Sequence, residues 1–396
     1  MKWILNGLAL LALMVTTAVV TFSVTLYAMG GNSENPAAVK IEEIRRYLDV
    51  FFIDDYDEAA VLEAAEAAMG DAAAEAMLEA TGDEWSHYVS AADYQSAYER
   101  SENAYVGIGV TIENETSQGF TVREVAPGGP ADLGGVLPGD VLVAVEGKPV
   151  LELGKEGTVD CVVGEAGTEV TVTFLRGGET LELTLTRASI VTTVASLEMV
   201  DGVGLITIKN FERHAAEQAL AAIESALAQD ASALIFDVRN DPGGYADEMV
   251  AILDRLLPEG ILFQSRDYAG REEEERSDAV CVDLPMAVLV NGESYSAAEF
   301  FAAALQEYGA AQIVGEQTYG KGNFQYEFPL SDGSAVWLSA GKYYTPNGVS
   351  LAGVGITPDI VVELDDEQFY KLYFDQLPLE EDDQIQAALE AVWESP

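Results

Sequence analysis

Histidine, cysteine and positive charge are all scarce in this chain. Its 396 residues include two histidines, two cysteines and 20 lysines and arginines, against 68 aspartates and glutamates. Each shortage excludes something. Neither His87 nor His214 lies near a nucleophile-like motif, so a serine–histidine arrangement has no candidate base. No Cys/His cluster has metal-ligand spacing, and no metal or other cofactor is expected. Cys161 and Cys281 fall in segments read below as different domains, so no bridge is expected between them even in an oxidising compartment. The formal net charge of -48 repels a phosphate backbone and excludes nucleic-acid binding. It also repels an anionic membrane surface, so any membrane attachment must be hydrophobic.

What is present is a globular composition, 49% hydrophobic and 22% charged, long enough for two or three domains. Trp3 to Met29 carries no charge. As a helix it would span roughly 40 Å, more than a bilayer core needs. Lys2 and the amino terminus precede the run. Positive-inside logic therefore keeps that end in the cytoplasm and puts the rest of the chain outside. A cleaved signal peptide, with Ala28-Met29-Gly30 as its site, is the rival reading. Asn32 to Ala38 reads as a polar tether. Val39 to about Ser101 reads as helical, with Ile41, Ile44, Leu48, Phe51 and Phe52 forming an apolar stripe. The stripe packs onto the body or, alternatively, makes a homodimer contact.

From Ala104 the pattern turns to short alternating strands and glycine turns, with a hairpin signal at Gly177-Gly178. Val125-Ala126-Pro127-Gly128-Gly129-Pro130-Ala131 followed by Leu137-Pro138-Gly139-Asp140 resembles a PDZ domain, over roughly residues 103–188. Such domains take a peptide carboxy-terminus as an added strand. Here the resemblance gives the carboxylate loop as Gly107, Ile108, Gly109 and Val110. From Ser196 the pattern is α/β, with buried strands at Ala233–Val238 and Met286–Val290. Strands followed by helices imply parallel connections, with a site at strand carboxyl ends.

Two segments there carry chemistry. One is Asn291 to Glu299, with Ser296 opening a helix. The other is Tyr319 to Gln325, with Lys321 between two glycines. A serine hydroxyl needs a base to attack a peptide carbonyl. A lysine serves once burial brings its pKa down from about 10.4. The Ala297 amide at the helix start, with one from Gly243 or Gly244, can hold the developing oxyanion. Each segment also has a bland reading. Ser296-Ala297-Ala298-Glu299 is a capping box, in which serine only caps the helix. Gly315 to Lys321 follows a Walker A loop except at its last position, where Gly322 replaces the magnesium-binding hydroxyl.

Taken together, the pieces resemble the carboxy-terminal processing peptidases, or tail-specific proteases, over most of residues 40–365. The serine motif, the segment from Val314 to Gln325 and Val354-Gly355-Ile356-Thr357-Pro358-Asp359-Ile360 carry that resemblance. It implies Ser296 as nucleophile rather than Ser294, Lys321 as general base and Gln325 as its orienting partner. It also implies Arg239 to Gly244 as the oxyanion-side loop, and a ClpP/crotonase-like core. Tyr295 and Ala298 depart from the family's pattern; Tyr295 narrows the expected pocket.

The expected organisation is an α/β, α+β multidomain chain. Residues 1–31 form the cytoplasmic tip and transmembrane anchor, and 32–102 the tether and N-terminal helical region. The PDZ domain takes 103–188, the serine protease core 189–365 and an acidic C-terminal tail 366–396. The expected function is a membrane-anchored, extracytoplasmic serine endopeptidase acting on proteins or peptides with free C-termini. An activating partner protein is an open question. A non-catalytic PDZ adaptor and a crotonase-type acyl-CoA enzyme are the alternatives.

Overall fold

The computed structural model describes residues 36–394, apart from Asp55, Ala68, Met69 and Asp375. The apolar run Trp3–Met29 lies outside these residues. Among the described residues no helix is long and apolar enough to cross a membrane.

The chain divides into two units. The first contains the N-terminal helices together with Arg266–Arg271 and Asn323–Lys342. Helices Pro36–Phe51, Glu58–Ala67 and Asp71–Glu79 lie in it. The strands Asn323–Pro329 and Ala335–Tyr344 pair antiparallel, and His87–Val89 adds to the second at Ala335–Trp337. The apolar stripe of the first helix is spent inside this unit. Ile44 and Leu48 are buried with Met77, Leu78, Val336 and Leu338. Phe51 packs 4.8 Å from Phe328. Lys40 is buried among these apolar groups, and its ammonium is held by Asp71, Asp332 and the Tyr88 hydroxyl at 2.8, 2.6 and 2.7 Å.

The second unit holds two separate cores. The first belongs to a region in which β1 (Ala104–Gly107) and β7 (Ala188–Val191) form a two-stranded sheet, while β2 (Val110–Glu115), β3 (Phe120–Val125), β4 (Val141–Val145), β5 (Glu169–Arg176) and β6 (Glu179–Thr186) lie in a larger one. Strands β2 to β6 follow one another in the sheet, while β1 pairs with β7. Helix α1 (Val150–Val162) covers it, and Ile108, Phe120, Leu142, Val172 and Phe174 fill the space between. Asp140, in the Pro-Gly-Asp turn, is 2% exposed and takes two bonds from Arg176, at 2.7 and 2.6 Å.

The second core is a six-stranded sheet in the order β8 (Ala195–Val200), β9 (Val203–Ile208), β10 (Ala233–Asp237), β11 (Met286–Val290), β12 (Ala311–Gly315) and β13 (Ile360–Val361). Strand β8 is antiparallel to β9, and the remaining neighbours are parallel. Helices α2 (Ala215–Ala228), α3 (Ala246–Leu256) and α4 (Ala297–Glu307) share a core with one face, through residues such as Leu234, Phe236 and Val288. Alternate residues Ala233, Ile235 and Leu289 pack with Ile385, Leu389 and Val392 of α5 (Asp383–Glu394) on the other. Burial on both faces is why these strands read as continuous apolar runs. The segment expected as an acidic tail is therefore in part a layer of the fold: Ile385, Ala388, Leu389 and Val392 cover the sheet, and Asp382 is buried against Arg239.

Candidate active site

Three loops leave the carboxyl ends of β10, β11 and β12, where parallel sheets place their sites. Two are knitted by a reciprocal amide pair. Asn240 N–H donates to Asn291 Oδ1 at 3.0 Å, and Asn291 Nδ2 donates to Asn240 Oδ1 at 2.9 Å. Tyr295 N–H donates to the Asp241 carbonyl at 2.9 Å. Ser294 is fully buried, and its hydroxyl donates to the Val238 carbonyl at 2.8 Å. Ser294 thus closes the turn that presents Ser296.

Ser296 sits at the N-cap of α4 with φ 50° and ψ -116°. An ordinary N-cap is extended. This conformation is one that glycine adopts freely and other residues reach only under constraint. The constraint is visible. Ser296 N–H donates to Glu299 Oε2 at 2.9 Å, and Lys321 N–H donates to the same oxygen at 2.8 Å. The other oxygen, Oε1, accepts from Gly320 N–H at 2.7 Å and Thr318 Oγ1 at 2.6 Å. One fully buried carboxylate thus gathers the serine turn and the lysine loop. Burial pushes its carboxyl up from the ordinary glutamate range, against the pull of those four donors. Glu299 was legible in the sequence only as half of a capping box; nothing local signals its bonds to a loop about 20 residues on.

The lysine loop is held from its other side by residues 352–356. Ile356 N–H donates to Thr318 Oγ1 at 2.7 Å, and Gly353 N–H donates to the Gly320 carbonyl at 2.8 Å. A methyl at Gly322 would lie 2.5 Å from Ala352 N, so the glycine is required by close approach. The segment after Lys321 is the strand Asn323–Pro329, not a helix. A phosphate loop needs a helix there, and the Walker reading ends with it. The Tyr295 ring meets Tyr319 edge-on at 4.5 Å, linking serine turn to lysine loop, and its hydroxyl bonds Glu293.

The expected oxyanion donors are not equivalent. Ala297 N–H, the first amide of α4, donates to no protein acceptor among the described residues. Gly243 packs against Ser296. Its φ is 88°, and a methyl there would lie 2.9 Å from Ser296 Cβ and 3.0 Å from Ala297 N. Its own N–H, however, donates to Asp241 Oδ1 at 2.7 Å and is occupied. Gly244 is flanked by two bonds to Phe211, from Phe211 N–H to the Gly243 carbonyl and from Tyr245 N–H to the Phe211 carbonyl. Its N–H points away from Phe211 and has no protein acceptor among the described residues. Asp241 is completely buried, and its Oδ2 has no hydrogen-bond partner among the described residues. Burial keeps its carboxyl well above the usual range, opposed by the Gly243 amide and reinforced by Glu212 and Asp237.

Gln325 lies in the first unit, at an irregular register step of the strand Asn323–Pro329. Its Nε2 donates to the Asn323 carbonyl at 3.2 Å and lies 3.4 Å from Ser339 Oγ. His87 and His214 stand apart from this chemistry. His87 packs edge-on against Trp337, and His214 occupies the N-cap of α2 without a side-chain cap bond. Cys161 and Cys281 are both free thiols.

The loop joining β1 to β2 is Ile108-Gly109. Its carbonyls accept from Ala131 and Ala126 N–H at 2.8 and 2.9 Å. Among the described residues its own two amides have no protein acceptor. Beside them runs a groove of about 440 Å³, lined by Val110 and Ile112 from β2 and by Thr158, Val159 and Val162 from α1. Unpartnered amides above an apolar slot suit a chain end that carries both a carboxylate and an apolar side chain.

Comparison with known proteins agrees with this geometry. The profile of peptidase family S41 matches residues 202–362, and that of the PDZ domain matches residues 121–176. A carboxy-terminal-processing protease of Bartonella bacilliformis is 32% identical over 74% of this chain and 69% of its own length. A chloroplastic carboxyl-terminal-processing peptidase 2 of Arabidopsis thaliana is 30% identical over 72% of this chain and 58% of its own. Among solved structures, a photosystem II D1 C-terminal processing protease superposes with a TM-score of 0.52 at 25% identity, covering 89% of this chain and 99% of that one. The fold and site define a serine peptidase that carries a PDZ domain. The chain belongs to the S41 family of carboxy-terminal processing proteases. That membership sets aside the adaptor and acyl-CoA readings.

Proposed function

We propose that the chain cleaves proteins by a Ser296–Lys321 dyad. Lys321, as the neutral amine, takes the Ser296 proton while Oγ attacks the scissile carbonyl. The proton then passes to the leaving amine, and water releases the acyl group by the same route. Ala297 N–H and the Gly244 amide hold the oxyanion, with Gly243 joining them if a substrate frees its amide from Asp241. Gln325 orients the amine. The observation that carries this reading is the shared oxygen, Glu299 Oε2, which binds the backbone amides of both Ser296 and Lys321.

Substrate choice rests on the PDZ groove, where Gly107, Ile108, Gly109 and Val110 take the terminal carboxylate. The uncharged run Trp3–Met29 anchors the chain in the cell membrane, with the peptidase on the extracytoplasmic side. The test replaces Ser296 and Lys321 separately with alanine and follows cleavage of an unfolded protein with an apolar tail. Both variants should be inactive; retained cleavage in either rules out the dyad. Protease accessibility in intact cells, with and without residues 1–31, tests the anchor and its orientation.

A further inference from the structure

Gly244 lies directly on the backbone of the loop that follows β9. A methyl on it would come 2.3 Å from the Phe211 carbonyl carbon and 2.6 Å from Glu212 N. The bonds from Phe211 N–H to the Gly243 carbonyl, at 2.8 Å, and from Tyr245 N–H to the Phe211 carbonyl, at 2.7 Å, close on either side of it. Where Gly244 presents its amide is therefore set by where the Phe211 backbone stands. That backbone is fastened by a side chain 107 positions before Asn210. Asn103 Nδ2 donates to Asn210 Oδ1 and to the Arg213 carbonyl, both at 2.8 Å, and Asn210 Nδ2 donates back to Asn103 Oδ1 at 3.1 Å. Asn210 Oδ1 also takes the Glu212 N–H at 3.0 Å. The chain on both sides of Phe211 is thus held by one amide. Ser101 adds two bonds: its carbonyl accepts Arg213 N–H at 3.0 Å, and its hydroxyl oxygen accepts the Tyr245 hydroxyl at 3.3 Å. Asn103 is buried, and its backbone is committed as well, to the Arg100 carbonyl and the Thr192 N–H at 3.0 and 2.7 Å. Its φ of 46° is in the left-handed region, which asparagine tolerates better than most residues with a side chain.

We propose that Asn103 is a positioning residue for the peptidase reaction: through Asn210 and Arg213 it fixes the Phe211 backbone, and Phe211 fixes the Gly244 amide that meets the oxyanion. The inference rests on the reading of Ser296 as nucleophile and Gly244 as an oxyanion donor. A donor aimed at charge that develops only in the transition state acts on turnover and not on ground-state binding. Losing the Asn103 side chain should therefore lower kcat and leave KM alone. A fault in the seating of the substrate would do the reverse.

The experiment uses Asn103→Gly in the full chain, which removes the amide and keeps the backbone, since glycine adopts this φ freely. With an unfolded, apolar-tailed protein as substrate, kcat should fall roughly tenfold at unchanged KM. The second readout is the affinity of a short apolar peptide aldehyde against the alcohol of the same sequence. Ser296 Oγ adds to the aldehyde carbon, the carbonyl electron pair moves onto its oxygen and the serine proton passes to Lys321, so the oxyanion site is filled; the alcohol cannot react. Asn103→Gly should lose roughly tenfold in aldehyde affinity and keep its affinity for the alcohol. Asn210→Ala cuts the same link from the other side and decides alone if Asn103→Gly does not fold. It should show the same losses, and the double variant should lose no more than Asn103→Gly, because the two side chains act as one link. Unmoved kcat and aldehyde affinity in a folded variant, a loss in KM instead, or additive losses in the double variant overturn the proposal. An aldehyde that binds Ser296→Ala as tightly as the unsubstituted chain would bring down the nucleophile reading, and the proposal with it.

Discussion

At the scale of single residues, the site depends on one backbone conformation and one carboxylate. The φ of 50° at Ser296 costs about 1–3 kcal/mol. It persists because Glu299, the Asn240–Asn291 pair and the Tyr295–Asp241 bond fix the turn from three sides. This gives an unusual order among variants at position 296. Alanine at 296 keeps the strained backbone, whereas glycine adopts it freely. Ser296→Gly should therefore be more stable than Ser296→Ala by about 1 kcal/mol, although glycine is the poorer residue at most positions. Urea unfolding of the two variants decides it, and a more stable alanine variant would contradict the strain. The sequence could not show this. Ser296-Ala297-Ala298-Glu299 spells a capping box whether or not the serine is strained, because the constraint comes from Asn240, Asp241 and Lys321, all distant in the chain. Spacing and family resemblance point to Ser296 and Lys321, but no local pattern reports that Asp241 occupies the Gly243 amide.

At the scale of elements, legibility followed the type of packing. The PDZ segment was readable because Pro127-Gly128-Gly129-Pro130 and Pro138-Gly139-Asp140 are turns with local causes, and its half-exposed strands alternate. The C-terminal helix α5 was harder. Its apolar positions Ile385, Ala388, Leu389 and Val392 have helical spacing, yet Glu380, Glu381, Asp382 and Asp383 just before them gave the segment the look of a solvated tail. Asp382 and the nearby Gln384 have structural work: they take Arg239 Nη1 at 2.9 and 3.0 Å, fastening α5 to the start of the loop that carries Gly243 and Gly244. The groove beside α1 yields a prediction at this scale. Val159 lines it yet is 44% exposed, so Val159→Asp should leave the fold intact. A carboxylate in the slot should repel an apolar tail and raise KM for tail-bearing substrates roughly tenfold, about 1.4 kcal/mol, with kcat unchanged. Short peptides that do not reach the groove should be cleaved as before. An equal loss for both substrate kinds would show that the groove does not select.

At the scale of the whole molecule, the excess of 68 acidic over 20 basic residues makes self-repulsion a constant opponent of folding at neutral pH. Acidification relieves it until the chain nears its isoelectric point of about 4.1. Below that, specific pairs are lost instead, and in the first unit the buried Lys40 cluster decides where. Burial pushes the Asp332 carboxyl up, but bonds from Lys40 and Ser334 overcome this and hold it at about 2, against an ordinary 3.8. Asp71 is likewise held low, chiefly by Lys40. Carboxyls lowered in the folded state contribute stability that is complete above their ordinary pKa and disappears as pH falls through the folded one. The first unit should therefore gain stability from pH 7 towards pH 4 and lose it between about pH 4 and pH 2. Lys40→Met removes the cation that holds both carboxyls down. It should cost only about 1 kcal/mol near pH 6, since Asp71 and Asp332 are themselves about half exposed, and should flatten the loss below pH 4. Asp140, held low by Arg176 in the second unit, keeps its acid dependence in either protein and serves as the internal control. Calorimetry from pH 7 to 2 on both proteins measures this, and an acid limb of equal steepness in Lys40→Met would place the pH dependence elsewhere.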